Sequence, residues 1–543
     1  MQDNAPPQPR ASAPPSDGEK PLRRHLIFLD GTWNSDDREG EQTHIVRLRN
    51  LAMPKIRAPG PDGTSGKVLC LQSIYYDSGV GTGLSRLDRF VGGALGAGLS
   101  TNIRQAYRYL SAVYRAGDEI CVFGFSRGAY SARSLVGYIA AAGLLKRRYC
   151  TPAAEAAAWA YYRIPPKQRY PGSNAARDGL VHENVRVRAM GIFDTVGALG
   201  IPSTWARTIN RLFLQFHDTE VSRIVDYAFH ALAIDEKREP FQAAVWQRPR
   251  HEEFKRIEQV WFPGVHSDIG GGYSEHRLGD IALTWMIERL TRGPGTGSDP
   301  HVYLHGRPQG GTPPGSSRSR VRAATASPSE PPHRRLGPIE PDDEVQAPGA
   351  PDDNLAPQNE SRSMFYRLLY PWPLLRLIGQ TWPRGDRAAI RRRFAVNAFK
   401  PFQEPISEMV HWSALVRLGR TVEAAESPAV RAQALVYAPP NLVAVLPNIL
   451  MTYARKDDQL VGSQQDALDE MRRLAARLHA EAAAPDSGIH QVRVVRHLPE
   501  ASPDPEKPGA VKVRELDPDQ PEDCVAVLAQ LLRLWCAGLL TPA

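Results

Sequence analysis

The chain has 543 residues, of which 42% are hydrophobic and 23% are charged, a composition ordinary for a protein with a sizeable core. Its formal net charge of +8 is small for this length and favours anionic partners only weakly. Because no dense Lys/Arg run carries interleaved aromatic residues, we expect no nucleic-acid partner.

The cysteines and the N-terminus bear on the compartment in which the chain folds. The five cysteines are scattered and form no Cys-x-x-Cys pair, so we expect neither a disulfide scaffold nor a zinc ribbon. Residues 1–24 are rich in Pro, Ala and Ser without an apolar centre, which indicates a disordered arm and no signal peptide. With no stretch of about 18 uncharged apolar residues, no transmembrane helix is expected. We therefore expect a protein that is cytoplasmic as synthesised and is exported, if at all, without a cleavable signal.

Strands and helices alternate through residues 25–292. Short apolar runs predict strands at His25–Asp30, Val68–Tyr76, Glu119–Phe125, Val185–Phe193, Ala228–Ile234 and Arg256–Phe262. Helical spacing of apolar residues predicts helices from Thr101 to Gly117, at Gly128–Ala142 and at Leu278–Leu290. This alternation predicts an α/β fold, a mostly parallel sheet with helices on both faces. In such sheets the ligand site lies beyond the carboxyl ends of the strands.

The composition changes after this region. Residues 293–363 are dominated by Pro, Gly, Ser and charged residues with little apolar periodicity, which predicts a disordered insertion. Residues 364–543 are predicted to be a mainly helical C-terminal unit that completes or caps the domain before it, with helices at Asp466–Ala480 and Pro521–Trp535. Residues 25–292 are thereby assigned as the N-terminal domain.

The clearest chemical motif is the pentapeptide GFSRG, residues 124–128. It has the Gly-x-Ser-x-Gly form and stands between a predicted strand and a predicted helix, as a nucleophile elbow requires. Small residues on either side relieve crowding at the strained turn that lifts Ser126 above the sheet. The backbone N–H of Arg127 is then one expected oxyanion donor.

A serine hydroxyl needs a base, usually a histidine oriented by a carboxylate. Asp194 follows a predicted strand and His266 lies on a Gly-rich loop after a later one, in the chain order Ser, Asp, His of this fold class. Asp268 is an alternative carboxylate, although bonding to backbone N–H groups of its loop suits it better. The competing histidines occupy less loop-like or more crowded settings: His217, His230 and His251.

Two other Gly-containing turns follow predicted strands. The first strand ends in Asp30, and the N–H groups of Gly31 and Thr32 suit the second oxyanion donor, with Asp30 bracing the loop. The Gly-rich stretch 77–83 lacks the Gly-Lys-Ser/Thr ending, so no nucleoside triphosphate site is indicated. No zinc-helix or calcium-loop pattern is present, and we expect no metal or organic cofactor.

Met364–Trp382 combines aromatic residues and leucines with flanking arginines. Such a segment suits a membrane interface or an acyl groove. It equally suits a core or domain-packing helix that Pro371 and Pro373 interrupt.

The motifs FLDGTWN, YYDSGVGTG, GFSRGAYSARSLVGYI, GIFDTVGALG and FPGVHSDIGGGY occur in this order. Together they resemble the family of domain of unknown function 2235, which includes the catalytic domain of class 1 type VI secretion lipase effectors. The resemblance implies an α/β-hydrolase fold, a triad of Ser126, Asp194 and His266, and phospholipase A-type activity on the membranes of rival cells.

These observations predict a serine hydrolase that cleaves carboxylic esters through an acyl-enzyme, with residues 25–292 as its α/β-hydrolase catalytic domain. The expected substrate is a phospholipid or another ester, with peripheral membrane contact and an immunity or secretion-apparatus protein as partners. The alternatives are a carboxylesterase that acts on soluble esters and a hydrolase fold that only binds.

Overall fold

The computed structural model describes most of the two regions predicted to fold. The described residues are 20–31, 42–59, 65–79, 94–169, 179–196, 221–238, 241, 243–246, 256–293, 299–305, 356–357, 359, 361, 375–376, 378, 394–395, 407–422, 435–454, 465–482, 491–499 and 511–540. The predicted arm, residues 1–24, and the predicted insertion, residues 293–363, lie mostly outside them.

The first half of the chain alternates strands and helices. In chain order its elements are β1 Leu22–Leu29, α1 His44–Leu51, β2 Lys55–Pro59, β3 Ser65–Asp77, α2 Ala94–Val113, β4 Glu119–Phe125, α3 Arg127–Ala142, β5 Leu144–Leu145, α4 Pro152–Tyr162, β6 Val181–His182, β7 Val187–Phe193, β8 Val225–Ala233, β9 Arg256–Phe262, α5 His266–Gly270 and α6 Arg277–Thr291. Single 3₁₀ turns occur at Arg147–Tyr149 and Pro166–Gln168.

The second half adds further strands and helices. They are β10 Leu375–Arg376, β11 Phe394–Ala395, β12 Glu408–His411, α7 Trp412–Arg417, β13 Thr421–Val422, β14 Leu435–Val436, α8 Pro440–Tyr453, α9 Gln465–Ala482, β15 Arg493–Pro499, β16 Val511–Glu515 and α10 Pro521–Cys536.

One large sheet organises the molecule. Its strands run in the order β16-β15-β12-β9-β8-β7-β4-β1-β3-β2. Neighbouring strands are parallel except at the two edges, where β15 pairs with β16 and β2 pairs with β3 in antiparallel fashion. The predicted α/β fold, a mostly parallel sheet with helices, is confirmed. The carboxyl ends of β1, β4, β7 and β9 all reach the same edge.

Helices cover both faces of this sheet. On one face α2, α3 and α4 pack through residues such as Tyr107 and Leu135 against the buried strands β4 and β7. On the other face α6 packs Ile281 and Trp285 against Phe123 and its neighbours. Because the central strands are buried on both faces, they are continuous apolar runs, which is why they could be found in the sequence.

The C-terminal half does more than cap the sheet. Its helices α8, α9 and α10 form one apolar cluster with sheet residues that include Leu232 and Trp261. Its strand β12 pairs in parallel with β9, and β15 and β16 extend the same sheet. These three strands were not predicted, because runs such as Glu408–His411 are short and mix charged with apolar residues. The domain boundaries inferred from composition stay predictions.

Individual boundaries differ from the predictions by a few residues. The helix expected from Thr101 begins at Ala94 and ends at Val113, and the first strand begins at Leu22, inside the predicted arm. His266, expected on a loop, is the first residue of the short helix α5. Among the described residues, no helix combines the length and the apolar character needed to cross a membrane.

Candidate active site

Ser126 occupies a strained turn between β4 and α3. Its φ is 57° and its ψ is −121°, a conformation that non-glycine residues rarely adopt. Its backbone N–H donates to the carbonyl of Phe193 at 3.1 Å, which fixes the turn to the end of β7. The turn therefore presents the serine side chain at the carboxyl edge of the sheet.

The glycines of the pentapeptide allow the helix to approach the sheet closely. A Cβ at Gly128 would lie 2.0 Å from the carbonyl oxygen of Leu29, and one at Gly124 would lie 2.6 Å from Cα of Ala129. Real side chains never make such contacts with backbone, so any larger residue would push α3 away from β1 and β4. The sequence requirement of the elbow is thus steric.

His266 follows β9, and its side chain reaches Ser126 at the end of β4 across the ends of β8 and β7. Its Nε2 lies 2.8 Å from Oγ of Ser126. The imidazole is buried and packs beside the rings of Phe125 and Phe241, with centroid distances of 4.7 and 4.9 Å. A Cβ at Gly270 would lie 1.9 Å from the Phe125 ring, so this glycine lets α5 close onto the ring that supports the imidazole.

Asp194 completes the arrangement directly after β7. Its backbone also has a positive φ, 39°. Its Oδ2 lies 2.5 Å from Nδ1 of His266, and its Oδ1 accepts the N–H of Ala233 at 3.0 Å. The structure therefore brings together the three side chains that the sequence reading selected, although they are far apart in the chain.

The electrostatics of this set suit proton transfer from serine to histidine. Burial lowers the pKa of His266 from its usual 6.5, with the hydrogen bond to Asp194 acting against that change. Burial raises the pKa of Asp194, but the charge of Arg376 and the hydrogen bond from His266 outweigh it and hold that pKa well below its usual range. An ionised Asp194 accepts a hydrogen bond from Nδ1–H of a neutral imidazole, which leaves the Nε2 lone pair free to accept the Ser126 hydroxyl proton.

The backbone N–H groups expected to bind the oxyanion differ in their surroundings. The backbone N–H of Arg127 opens α3 beside Ser126, where a helix N-terminus favours negative charge. The N–H of Gly31, in contrast, donates to Oδ1 of Asp30 at 2.7 Å, and its role as an oxyanion donor stays a prediction. Thr32 lies outside the described residues. A Cβ at Gly31 would lie 3.5 Å from Cβ of Ser126, so this turn does border the serine.

Asp30 braces that turn as expected. Its Oδ2 accepts hydrogen bonds from the hydroxyls of Thr43 at 2.6 Å and Tyr76 at 3.1 Å. Asp77, at the start of the Gly-rich stretch, accepts from the N–H of Gly79 and from Nδ2 of Asn102. Residues 80–83 lie outside the described part of the chain.

The alternative site residues have other partners. Asp268 accepts from the N–H of Val265 at 2.8 Å, which agrees with the expected role of bracing its own loop. His230 is fully buried and its Nε2 accepts the N–H of Thr195 at 3.2 Å. His217 and His251 lie outside the described residues.

Three residues near the site were missed by the sequence reading. Arg376 binds both oxygens of Asp194, at 2.6 Å from Nη1 to Oδ1 and 3.0 Å from Nη2 to Oδ2. Asn359 donates to Oδ1 of Asp268 at 2.6 Å, and Ser361 donates to Oε1 of Glu236 at 3.0 Å. Asn359 and Ser361 fall in the predicted insertion, and Arg376 falls in the stretch interpreted as a lipid-contact or packing segment. No local pattern distinguishes them.

A second Ser–His–Asp set occurs at the opposite edge of the sheet. Nδ1 of His25 lies 2.6 Å from Oγ of Ser73, and its Nε2 lies 2.8 Å from Oδ2 of Asp118. His25 is buried, and burial lowers its pKa too, with the Asp118 hydrogen bond opposing. We call Ser126, His266 and Asp194 the elbow set, and Ser73, His25 and Asp118 the strand set.

In the part of the chain that the structure describes, no group of three or more His, Cys, Asp or Glu side chains is arranged to hold a metal ion.

Comparisons with known proteins agree with the motif resemblance. Residues 23–289 match the family described as type VI secretion system phospholipase effector Tle1-like, catalytic domain, which confirms the resemblance over that segment. An uncharacterized protein of Saccharomyces cerevisiae is 28% identical over 250 residues, which cover 42% of this chain and 33% of that protein. The chain thus spans about a third of the length of this relative.

Two solved structures are also similar to the chain. One is the Tle1 effector bound to the VgrG spike of the type 6 secretion system, 21% identical, covering 47% of this chain and 51% of that chain with a TM-score of 0.28. The other is an uncharacterized protein from Pseudomonas aeruginosa, 20% identical, covering 49% of this chain and 45% of that chain with the same TM-score of 0.28.

Proposed function

From the match of residues 23–289 to the Tle1-like phospholipase effector catalytic domain, we propose that the chain is a lipolytic serine hydrolase that removes a fatty acyl chain from a membrane phospholipid. The observation that carries this proposal is the continuous contact from Asp194 through His266 to Ser126, at 2.5 and 2.8 Å. Hydrogen-bond reach between nucleophile, base and orienting acid is the geometry such a reaction needs.

The first half of the reaction forms an acyl-enzyme. His266 Nε2 takes the hydroxyl proton of Ser126 while Oγ attacks the ester carbonyl carbon. Asp194 stabilises the imidazolium that results. The negative charge on the carbonyl oxygen lies beside the N–H of Arg127 at the start of α3, with the N–H of Thr32 as the expected second donor. The tetrahedral intermediate collapses, and the lysophospholipid alcohol leaves with the proton of His266.

The second half releases the fatty acid. Water attacks the acyl carbon and gives a proton to His266, and the collapse of the second intermediate returns this proton to Oγ of Ser126. The elements of one water molecule are consumed, and fatty acid and lysophospholipid are the products. The aromatic rings of Phe125 and Phe241 beside His266 keep the imidazole out of water.

The test compares Ser126→Ala with Ser73→Ala, because both serines contact a buried histidine. The substrates are short p-nitrophenyl esters and vesicles of phosphatidylethanolamine and phosphatidylglycerol labelled at the sn-1 or sn-2 acyl chain. We expect Ser126→Ala to reduce fatty acid release by at least roughly 10³-fold, since it removes the nucleophile. Ser73→Ala should retain wild-type release.

Each other outcome selects a different function. Hydrolysis of short esters with none on vesicles would indicate a carboxylesterase for soluble substrates. Failure of the wild-type chain on every acyl substrate would indicate a hydrolase fold that only binds. Equal rates for wild type and Ser126→Ala would remove Ser126 from the mechanism.

The family match also supports proposals about where the chain acts. We propose that the chain is exported by the type VI route while bound to a spike protein. We also propose that it contacts target membranes peripherally and that an immunity protein inhibits it in the producing cell. Co-expression with a spike protein followed by co-purification tests the loading step. Elution of the chain separately from the spike protein would contradict the loading step.

A further inference from the structure

The carboxylate of Asp194 is held by more groups than a histidine alone. Besides Nδ1 of His266 and the N–H of Ala233, it accepts two hydrogen bonds from the guanidinium of Arg376. Both oxygens are engaged in a bidentate pair, the geometry in which arginine fixes a carboxylate most rigidly. The side chains of Arg376 and Asp194 are 4% and 0% exposed.

The guanidinium itself is anchored by backbone. It donates from Nη1 to the carbonyl of Ala233 at 3.0 Å and from Nε to the carbonyl of Phe241 at 3.1 Å, with a second bond to the same carbonyl from Nη2. Ala233 ends β8, and the ring of Phe241 packs on His266. Arg376 therefore holds Asp194, Ala233 at the end of β8, and Phe241 beside the imidazole in fixed positions relative to one another.

This arginine comes from a part of the chain remote from the motifs. It ends the short strand β10, which pairs in parallel with β11. Asn359 and Ser361, which precede it in the chain, also donate to carboxylates: Asn359 to Asp268 and Ser361 to Glu236. Glu236 in turn accepts the backbone N–H of His266 at 3.3 Å. Asn359, Ser361 and Arg376 thus donate to carboxylates at or near the residues that contact His266.

We propose, on the basis of the proposed ester hydrolysis, that Arg376 is a positioning residue, whose guanidinium locks the Asp194 carboxylate in the orientation that aims His266 at Ser126. It touches no reacting atom and acts only through Asp194. Without it, the carboxylate would keep the bond to Ala233 but lose the two that fix its plane, and the imidazole would lose its fixed direction toward Oγ.

The charge of Arg376 gives this role a signature in pH dependence. The ionisable groups that act on His266 are Asp194, Glu236 and Arg238, and Arg376 carries its charge against Asp194, the hydrogen-bond partner of His266. A nearby cation disfavours the imidazolium, so its removal raises the pKa of His266. Because the free base is the active form, the acid limb of kcat/KM moves to higher pH.

The experiment uses the full chain with Arg376→Gln and Arg376→Lys, assayed on the labelled vesicles over a pH series. Arg289→Gln is the matched control, because Arg289 is also buried and its Nε lies 2.6 Å from Oε2 of Glu258, on the α6 side of the sheet. We expect Arg376→Gln to lower kcat by roughly 10–100-fold with KM unchanged and to shift the acid limb upward. Arg376→Lys should keep the acid limb near wild type, because the charge stays, while kcat still falls, because the bidentate contact is lost.

The control separates positioning from simple destabilisation. Arg289→Gln should lower the melting temperature without moving the acid limb or kcat. An acid limb that stays in place in Arg376→Gln, or one that moves equally in Arg289→Gln, would overturn the proposal. If Arg376→Gln does not fold, Arg376→Lys decides alone, with wild-type kcat overturning the proposal and a reduced kcat at unchanged KM supporting it.

These results are distinguishable from a failure of the hydrolase mechanism. If Ser126→Ala retains activity, the mechanism itself is wrong. If Ser126→Ala is inactive while both Arg376 variants match wild type, only the role of Arg376 is wrong.

Discussion

The elbow set and the strand set contain the same three residue types at nearly the same distances. In the elbow set the serine and aspartate contacts to histidine are 2.8 and 2.5 Å, and in the strand set they are 2.6 and 2.8 Å. Both histidines are buried, and burial lowers both pKa values. Contact distance and burial therefore do not distinguish a candidate nucleophile from a structural hydrogen bond.

What separates the two sets is the backbone that carries them. Ser126 and Asp194 both have positive φ in turns at the carboxyl ends of parallel strands, whereas Ser73 lies within β3, beside His25 in the register of β1. Ser126 is followed at once by a helix N-terminus, and Ser73 is followed by four more strand residues. A carbonyl oxygen that becomes negative would find the N-terminus of α3 only at Ser126. Position in the fold, more than the three contacts, therefore distinguishes the elbow set as the candidate site.

Replacing each aspartate by asparagine tests this contrast most severely. We expect Asp194→Asn to lower kcat on vesicles by about 10⁴-fold, because the amide donates to Nδ1 and leaves the proton on Nε2, the wrong tautomer for a base. Asp118→Asn should keep kcat near wild type at temperatures where the variant is folded. The measurement is kcat for both variants with folding checked by circular dichroism.

Either of two results would erase the contrast. A loss of activity in Asp118→Asn as large as that in Asp194→Asn would give the strand set a share in catalysis. A value of kcat for Asp194→Asn within tenfold of wild type would mean that this carboxylate does not orient the base.

The sequence revealed the elbow set because its residues occur in short motifs with a steric reason. Gly124, Gly128 and Ser126 must be close in sequence, since one turn joins one strand to one helix. Asp194 and His266 could be located by chain order and by their places after apolar strands. The strand set has no such pattern, because a histidine, a serine and an aspartate in register across strands leave no mark in any single stretch of sequence.

The C-terminal half was harder to read for a related reason. Arg376 lies 182 residues from its partner Asp194, so its role depends entirely on tertiary structure. The strands β12, β15 and β16 are sheet members because β9 offers an edge, although their own sequences are mixed. Long central strands such as β4 were predicted closely, since burial on both faces makes them uniformly apolar.

The elbow set, unlike the strand set, depends on the close approach of α3 to β1, and this steric requirement can be tested at two glycines of α3. Gly128→Ala places a Cβ 2.0 Å from the Leu29 carbonyl, so we expect a loss of about 3 kcal/mol or more in the free energy of unfolding, together with lost activity. Gly137→Ala is the matched control, because its Cβ would make ordinary contact at 3.5 Å with the ring of Tyr162. In a helix interior this change should stabilise the protein by up to about 1 kcal/mol. Urea denaturation of both variants measures the difference, and equal midpoints would show that α3 can move away from the sheet at no cost.

The smallest expected effect concerns Asp268. This residue lies two positions after His266 and accepts a hydrogen bond from Asn359. Burial raises the pKa of Asp268 from 3.8 to about 7, against the hydrogen bonds from Asn359 and Val265. A carboxyl with a raised pKa in the folded state stabilises the fold fully below its unfolded pKa, and this contribution is lost as the pH rises toward the folded pKa. We therefore expect stability to fall between pH 5 and pH 7.5 by on the order of 2 kcal/mol on account of this group.

Asp268→Asn removes the titration while keeping a side chain of the same shape. At pH 5 the folded wild type carries a neutral carboxyl, so the variant should melt near the wild-type temperature. At pH 7.5 the wild type must bury a carboxylate, and the variant should melt higher. Asp469→Asn, a half-exposed carboxyl on α9, is the control and should leave the pH dependence as it is in wild type. Parallel melting curves for wild type and Asp268→Asn across this pH range would mean that the hydrogen bonds from Asn359 and Val265 already hold Asp268 ionised at pH 5.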